Sequence, residues 1–172
     1  MKKLLLIRHA KSSWEDLTLE DFLRPLNKRG LKDAPFMAKL LKKKEIKADL
    51  IICSPSIRTK LTSEFFIKEL NFKNEIIFEK AIYEAPYENL LEVLQKIDDR
   101  YKTIILIGHN PGLCDLTNFL CEEYFENIPT CAIVEIDFNT NSWNEISKKN
   151  SKLISFEYRL LGNIWEKCDK EI

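Results

Sequence analysis

Three short, almost purely aliphatic runs, LLLI (4–7), DLIIC (49–53) and TIILI (103–107), constrain the fold more than any other feature of the chain. A strand with one face in water alternates apolar and polar residues. A run that is apolar throughout must be covered on both faces, as in a parallel sheet packed between helices. Helical spacing fills the intervals. Residues 28–44 carry an apolar face of Leu31, Ala34, Ala38 and Leu41, with Pro35 either in a first turn begun after Asp33 or kinking a longer helix. Ser56 is placed to N-cap a helix running to Leu70, with Leu61, Phe65 and Phe66 inward. Residues 87–98 gather Leu90, Leu91, Leu94 and Ile97 on one face, and about 113–123 form a further helix.

EIIF (75–78) reads as a weaker strand, while CAIVEIDF (131–138) and KLISFEYR (152–159) alternate as half-exposed strands do. Between these two lies a turn region, 139–151, with a short element around Trp143. The predicted architecture is therefore α/β: a three-layer sandwich in which helices flank a mostly parallel central sheet, with antiparallel strands added near the C-terminus. The absence of repeats and of a Pro/Gly/Ser-rich linker predicts one domain spanning residues 1–172.

Charge removes two classes of partner. The 27 basic and 27 acidic residues give a formal net charge of zero, so nothing in the overall electrostatics calls for nucleic acid or a membrane surface. MKKLLLI has the outline of a signal peptide, but its apolar run is short and Arg8-His9-Ala10-Lys11 interrupts it. Five widely spaced cysteines, Cys53, Cys114, Cys121, Cys131 and Cys168, form no CxxC pair and suit a reduced, cytoplasmic protein.

The chain has only two histidines, and they end its two most similar hexamers, LLLIRH (4–9) and IILIGH (104–109). His9 and His109 thus fall just past the carboxyl ends of two predicted buried strands, the edge of a parallel sheet at which ligands bind. The third buried strand ends in SPSIR (54–58), which sets Arg58 in the first turn of a helix at the same edge. Arg8 and Arg58 bring rigid forks of donors matched to phosphate oxygens, and the helix starts after residues 56 and 111 add backbone N–H groups. A neutral imidazole is a competent nucleophile toward phosphorus, and a second one can bind an oxygen or handle a proton. An arginine in a helix's first turn opposes the dipole unless an anion is present, which favours a binding role for Arg58 over a purely structural one.

These motifs resemble the histidine phosphatase superfamily, in which phosphoglycerate mutases share a fold with many phosphatases. Arg8-His9-Ala10 is similar to its RH[GA] signature, Ser54-Pro55-Ser56-Ile57-Arg58 to its strand–SPxxR element, and Gly108-His109 to its second-histidine motif. RHAKSSW followed by RPLNKRG (24–30) is similar to the small SixA-like phosphohistidine phosphatases. The resemblance implies a phosphoglycerate mutase-like fold and a metal-independent phosphatase without a cofactor. In that scheme His9 is the phosphoryl acceptor, and Arg8, Arg58 and His109 bind and neutralise the phosphoryl group. Arg24, in DFLRPL, is a further candidate contact.

The larger enzymes of the superfamily carry an acid that protonates the leaving oxygen. IYEAPYENL (82–90) offers Glu84 for that place, with Glu88 as second choice, although its surroundings do not match the usual acid-bearing pattern. The SixA-like branch is noted for lacking the acid. An imidazole leaving from phosphorus can already carry its proton, whereas an alkoxide cannot, so a missing acid suits an N–P substrate. The expected substrate is a phosphohistidine on a signalling or phosphorelay protein, with inorganic phosphate as product. The alternatives are a small phosphorylated molecule, or a phosphate-binding module without turnover.

Blander readings accompany the other residues. Ser12, Ser13 and Trp14 read as a loop with a packed Trp, and Lys42, Lys43 and Lys44 as a solvated helix end. Phe65, Phe66, Phe119 and Phe125 read as core. Cys53 and Cys114 match no zinc-ligand spacing with the histidines.

Overall fold

In a computed structural model that describes residues 1–160 and the backbone of residues 163–168, the three aliphatic runs lie side by side. They become β1 (Lys2–Arg8), β2 (Leu50–Cys53) and β4 (Thr103–Gly108), with β3 (Glu75–Phe78) outside β2. Between and after them run α1 (Lys28–Lys43), α2 (Ile57–Glu69), α3 (Tyr87–Gln95) and α4 (Gly112–Leu120). The chain closes with β5 (Ile133–Phe138), β6 (Ser151–Leu160) and β7 (Asn163–Cys168). The sheet order is β3-β2-β4-β1-β5-β6-β7: β3, β2, β4 and β1 pair in parallel, and β5, β6 and β7 add in antiparallel fashion.

Alternation along each strand divides the core in two, because successive side chains point to opposite faces. Leu5, Ile7, Ile51, Ile105 and Ile107 meet Ala34, Met37, Ala38, Leu41 and Phe66 of α1 and α2. Leu4, Leu6, Ile52, Ile104 and Leu106 meet Leu90, Leu94, Leu113, Leu116 and Leu120 of α3 and α4. Both faces of β1, β2 and β4 are thereby covered, which is why those strands read as unbroken apolar runs.

Several expectations need correction. Leu31 is exposed, and Met37 takes its place on the buried face of α1. Asn27 caps α1 by accepting from the Gly30 N–H at 2.9 Å, so the helix starts well before Pro35 and holds that proline inside. Ser56 precedes α2 but makes no side-chain cap; its hydroxyl pairs with Thr59 Oγ1 at 2.7 Å. Leu61 and Phe65 are only partly buried.

Strand β5 is buried along nearly its whole length, not half-exposed, since β1 and β6 flank it. Its Glu135 is buried and ion-paired with Lys3 and with Lys44, the latter at 3.0 Å. Lys44 also meets Glu157, so this lysine is tied to the sheet and is not part of a solvated helix end. Phe119 is exposed and packs on Tyr87 (ring centroids 5.0 Å apart), because α4 turns that side outward; Phe66 and Phe125 are core. Cys53, Cys114, Cys121 and Cys131 are free and buried, while the side chain of Cys168 lies outside the described residues. No helix among the described residues is long and apolar enough to cross a membrane.

Candidate active site

Strand register puts the two histidines together. Arg8 of β1 pairs with Gly108 of β4, and the ladder continues one step further through the His9 N–H to the Gly108 carbonyl at 3.0 Å. Beyond the strand ends the imidazole rings stand 5.3 Å apart, centroid to centroid. The neighbouring strand β2 contributes the turn after Cys53, in which the Ser54 N–H donates to the Ile107 carbonyl, and α2 then presents Arg58 from its first turn. His9, His109 and Arg58 are 8%, 4% and 3% exposed. They line a cleft of about 380 Å³ together with Arg8, Lys11, Ser12, Trp14, Asp21, Arg24, Glu84, Asn110 and Thr130.

The hydrogen bonds fix the state of each ring. His9 Nδ1 is 2.8 Å from the Ala10 carbonyl, which can only accept, so Nδ1 carries the proton and Nε2 keeps its lone pair. His109 Nδ1 faces Arg58 Nη2 at 3.2 Å; a guanidinium only donates, so Nδ1 accepts and Nε2–H donates to Ser54 Oγ at 2.7 Å. Burial pushes the pKa of both histidines down to about 3, helped for His9 by Arg58 and Arg8 and for His109 by His9 and Arg58. Both rings are therefore neutral at physiological pH.

One wall of the cleft is the connection between β1 and α1, which folds back on itself as a strap. Ser12 bridges Leu26, the Ser13 N–H donates to the Pro25 carbonyl at 2.8 Å, and the Asn27 N–H to the Lys11 carbonyl at 2.9 Å. Gly30 is required there: a Cβ on it would lie 2.3 Å from the Lys11 carbonyl oxygen. Within the strap, Arg24 donates to the Ser13 carbonyl, Ser12 Oγ and Asp21 Oδ1 at 3.0, 2.5 and 2.8 Å, and its guanidinium stacks on Trp14 at 3.3 Å. Trp14 itself is exposed, and the loop packed against it is one rim of the cleft. Gly112 lets α4 start tight against the loop bearing Glu84, since a Cβ there would lie 2.2 Å from the Ala85 carbonyl oxygen.

Asp21, Tyr83 and Ser54 were not legible as site residues. Asp21 accepts from Arg58 Nη2 and from the Tyr83 hydroxyl, both at 2.8 Å, and its main-chain carbonyl accepts from Arg58 Nη1 at 2.6 Å. Burial alone would raise the Asp21 pKa, but the hydrogen bonds from Tyr83 and Arg58, with the Arg58 charge, bring it down to about 2. Burial and then Asp21 raise the pKa of the neighbouring Glu84 from its ordinary value; Glu84 also meets Arg58 Nη2 at 3.3 Å. The spacing D-x-x-R in DFLRPL was the available signal for Asp21, as a partner for Arg24 three residues on. Arg8 lines the cleft while its Nη1 donates to the Ile128 carbonyl at 2.8 Å.

Among the described residues no three His, Cys, Asp or Glu side chains are grouped to hold a metal ion. The Cys53 thiol, pushed up to about 12 by burial, donates to the Ser54 carbonyl at 3.2 Å, and Cys114 contacts the Phe125 carbonyl at 3.3 Å.

Comparison with known proteins shows the family and the fold. Residues 4–104 match the histidine phosphatase superfamily (branch 1). An uncharacterized chloroplastic protein of Arabidopsis thaliana is 31% identical over 153 residues, covering 84% of this chain and 70% of that protein. Among solved structures, the protein histidine phosphatase SixA complexed with tungstate superposes with a TM-score of 0.75 at 19% identity, covering 96% of each chain. A phosphoserine phosphatase mutant of Entamoeba histolytica in complex with phosphoserine superposes with a TM-score of 0.63 at 18% identity, covering 91% of this chain and 96% of that one.

Proposed function

The chain belongs to the histidine phosphatase superfamily, and from that premise we propose that it is a phosphatase working through a phosphohistidine on His9, with phosphohistidine of a signalling or phosphorelay protein as its preferred substrate. The observation that carries the chemistry is the paired imidazoles, with His9 Nδ1 committed to Ala10 and Nε2 left as a buried, neutral nucleophile. In the first step the His9 Nε2–P bond forms as the N–P bond of the substrate breaks, and the leaving imidazole departs with the proton it already carries. In the second step a water oxygen bonds to phosphorus as Nε2–P breaks, and inorganic phosphate leaves with the water's protons. Arg8 and Arg58 hold the phosphoryl oxygens, where preorganised donors stabilise the charge of the transition state, and His109 joins them by turning its Nε2–H from Ser54 Oγ to a phosphoryl oxygen. Arg24 adds its charge at the rim while fastening the strap.

Two features support a protein substrate. Trp14 lines the cleft, and the strap that carries it leaves Leu17 and Leu23 exposed as well, large apolar side chains within one short loop. The same reading takes residues 1–172 as one domain and a cytoplasmic location, which the four free cysteines among the described residues suit. A second reading, a small phosphomonoesterase, is favoured by Glu84: burial and Asp21 keep its proton to higher pH, as an acid for an alkoxide leaving group requires.

Assaying wild type and His9→Ala on a panel of phosphohistidine proteins, phosphoserine and sugar phosphates separates the readings. The expected result is preferential turnover of the phosphohistidine proteins, lost in His9→Ala. Comparable rates on the esters would shift the assignment to the second reading. A His9→Ala protein that keeps both affinity and turnover would remove His9 from the chemistry.

A further inference from the structure

The carboxylate of Asp21 is an anion already seated among the arginines of the cleft. Its Oδ2 accepts from Arg58 Nη2 and its Oδ1 from Arg24 Nη1, each at 2.8 Å, donors whose geometry also suits phosphate oxygens. The main-chain carbonyl of the same residue accepts from Arg58 Nη1 at 2.6 Å. These contacts divide two roles. The carbonyl, with His109 Nδ1 on the other side, fixes where Arg58 points and adds no net charge. The carboxylate adds a full negative charge at the same donors.

We propose that Asp21 is a resident counter-anion of the phosphoryl site, competing with phosphate for Arg58 and Arg24 so that the product is released. The inference rests on the reading of the cleft as a phosphoryl site and adds to it a determinant of product affinity. Charge balance gives the reason. Arg8, Lys11, Arg24 and Arg58 line the cleft against only Asp21 and Glu84. Four cations with no carboxylate among them would hold inorganic phosphate as firmly as they hold the substrate, and binding that does not distinguish the transition state adds nothing to turnover. Asp21 stays ionised through the neutral range, because the hydrogen bonds of Tyr83 and Arg58 outweigh its burial. It is also partly exposed at the rim, where an entering phosphoryl group meets it.

A residue that only aimed Arg58 would give the opposite sign: its removal would loosen phosphate. The test is calorimetric titration of inorganic phosphate into wild type, Asp21→Asn and Asp21→Ala, with thermal midpoints recorded for each. Asp21→Asn keeps the shape without the charge, and Asp21→Ala keeps the main-chain carbonyl. Loss of one nearby negative charge is expected to tighten phosphate about tenfold in both variants, with product inhibition of turnover strengthened to match. A loosened fold weakens binding, so tightening cannot come from structural damage. Unchanged or weaker phosphate binding in the variants overturns the inference. Wild type that binds no phosphate at all would take down the phosphoryl-site reading first, a result visible before any variant is made.

Discussion

The floor of the cleft and its strap are built on different principles. The floor is a consequence of sheet register: β1, β4 and β2 are adjacent, so residues just past their ends, His9, His109 and Arg58, must converge. The strap, residues 10–27, contains no regular element longer than a 3-10 turn at Asp21–Leu23. It is held by a buried arginine, Arg24, whose partners Ser12, Ser13, Trp14 and Asp21 come from both of its limbs. A floor of this kind tolerates small changes in side-chain volume but not in chemistry, whereas a strap of this kind is sensitive to backbone fit.

After the loss of turnover in His9→Ala, Arg58→Ala breaks the floor with the largest expected effect. Removing a preorganised donor to the phosphoryl group should lower kcat/KM about a hundred- to thousandfold, with Arg58→Lys recovering little because a lysine lacks the planar fork. Steady-state rates with the variant still folded check this, and a loss below tenfold would remove Arg58 from the phosphoryl site. Gly30→Ala attacks the strap instead. Its Cβ has no room against the Lys11 backbone, so the unfolding free energy should fall by about 2–3 kcal/mol. Gly108→Ala, on the floor, would meet only the Leu106 and Leu113 side chains at 3.5 Å and beyond, and should cost less than about 1 kcal/mol. Denaturant titrations of the two variants side by side give the contrast directly.

The buried histidines make a third, pH-dependent difference. Their folded pKa values lie near 3, below the ordinary value of 6.5, so the unfolded chain binds protons first as pH falls. The stabilisation is fully present above pH 6.5 and is lost as pH drops toward 3, with a slope of up to about 2.7 kcal/mol per pH unit for two groups. A His109→Gln variant should show a shallower acid limb in its denaturant midpoints than wild type. Equal limbs would mean that His109 is protonated in the folded protein. The smallest effect is expected from Trp14→Ala, which removes the ring over Arg24; a cation–π contact of about 0.5–1 kcal/mol corresponds to a loss of roughly threefold in kcat/KM.

The same contrast explains what could be read from the chain. The parallel strands, the placement of both histidines and Arg58 follow from aliphatic runs and from what sits at their ends, signals that are local in sequence. KSSW carries no legible chemical role in the sequence, and only the fold supplies one: Ser12, Ser13 and Trp14 are the surroundings of Arg24. Asp21 was missed because its partners, Arg58 and Tyr83, lie 37 and 62 residues away in the chain. Strand β5 appeared half-exposed because Glu135 and Asp137 read as water-facing, whereas Lys3 and Lys44 let Glu135 be buried. Hydrophobic pattern reports burial only where burial is apolar, and paired charges and pinned loops fall outside it.

The central claim is that His9 Nε2 takes the phosphoryl group, and one measurement addresses it most directly. Rapid acid-free quenching during turnover of a phosphohistidine protein, followed by peptide mapping, should find acid-labile, base-stable phosphate on His9 and none in His9→Ala. Phosphate trapped on another residue, or full turnover with no phosphoenzyme at any time point, would contradict it.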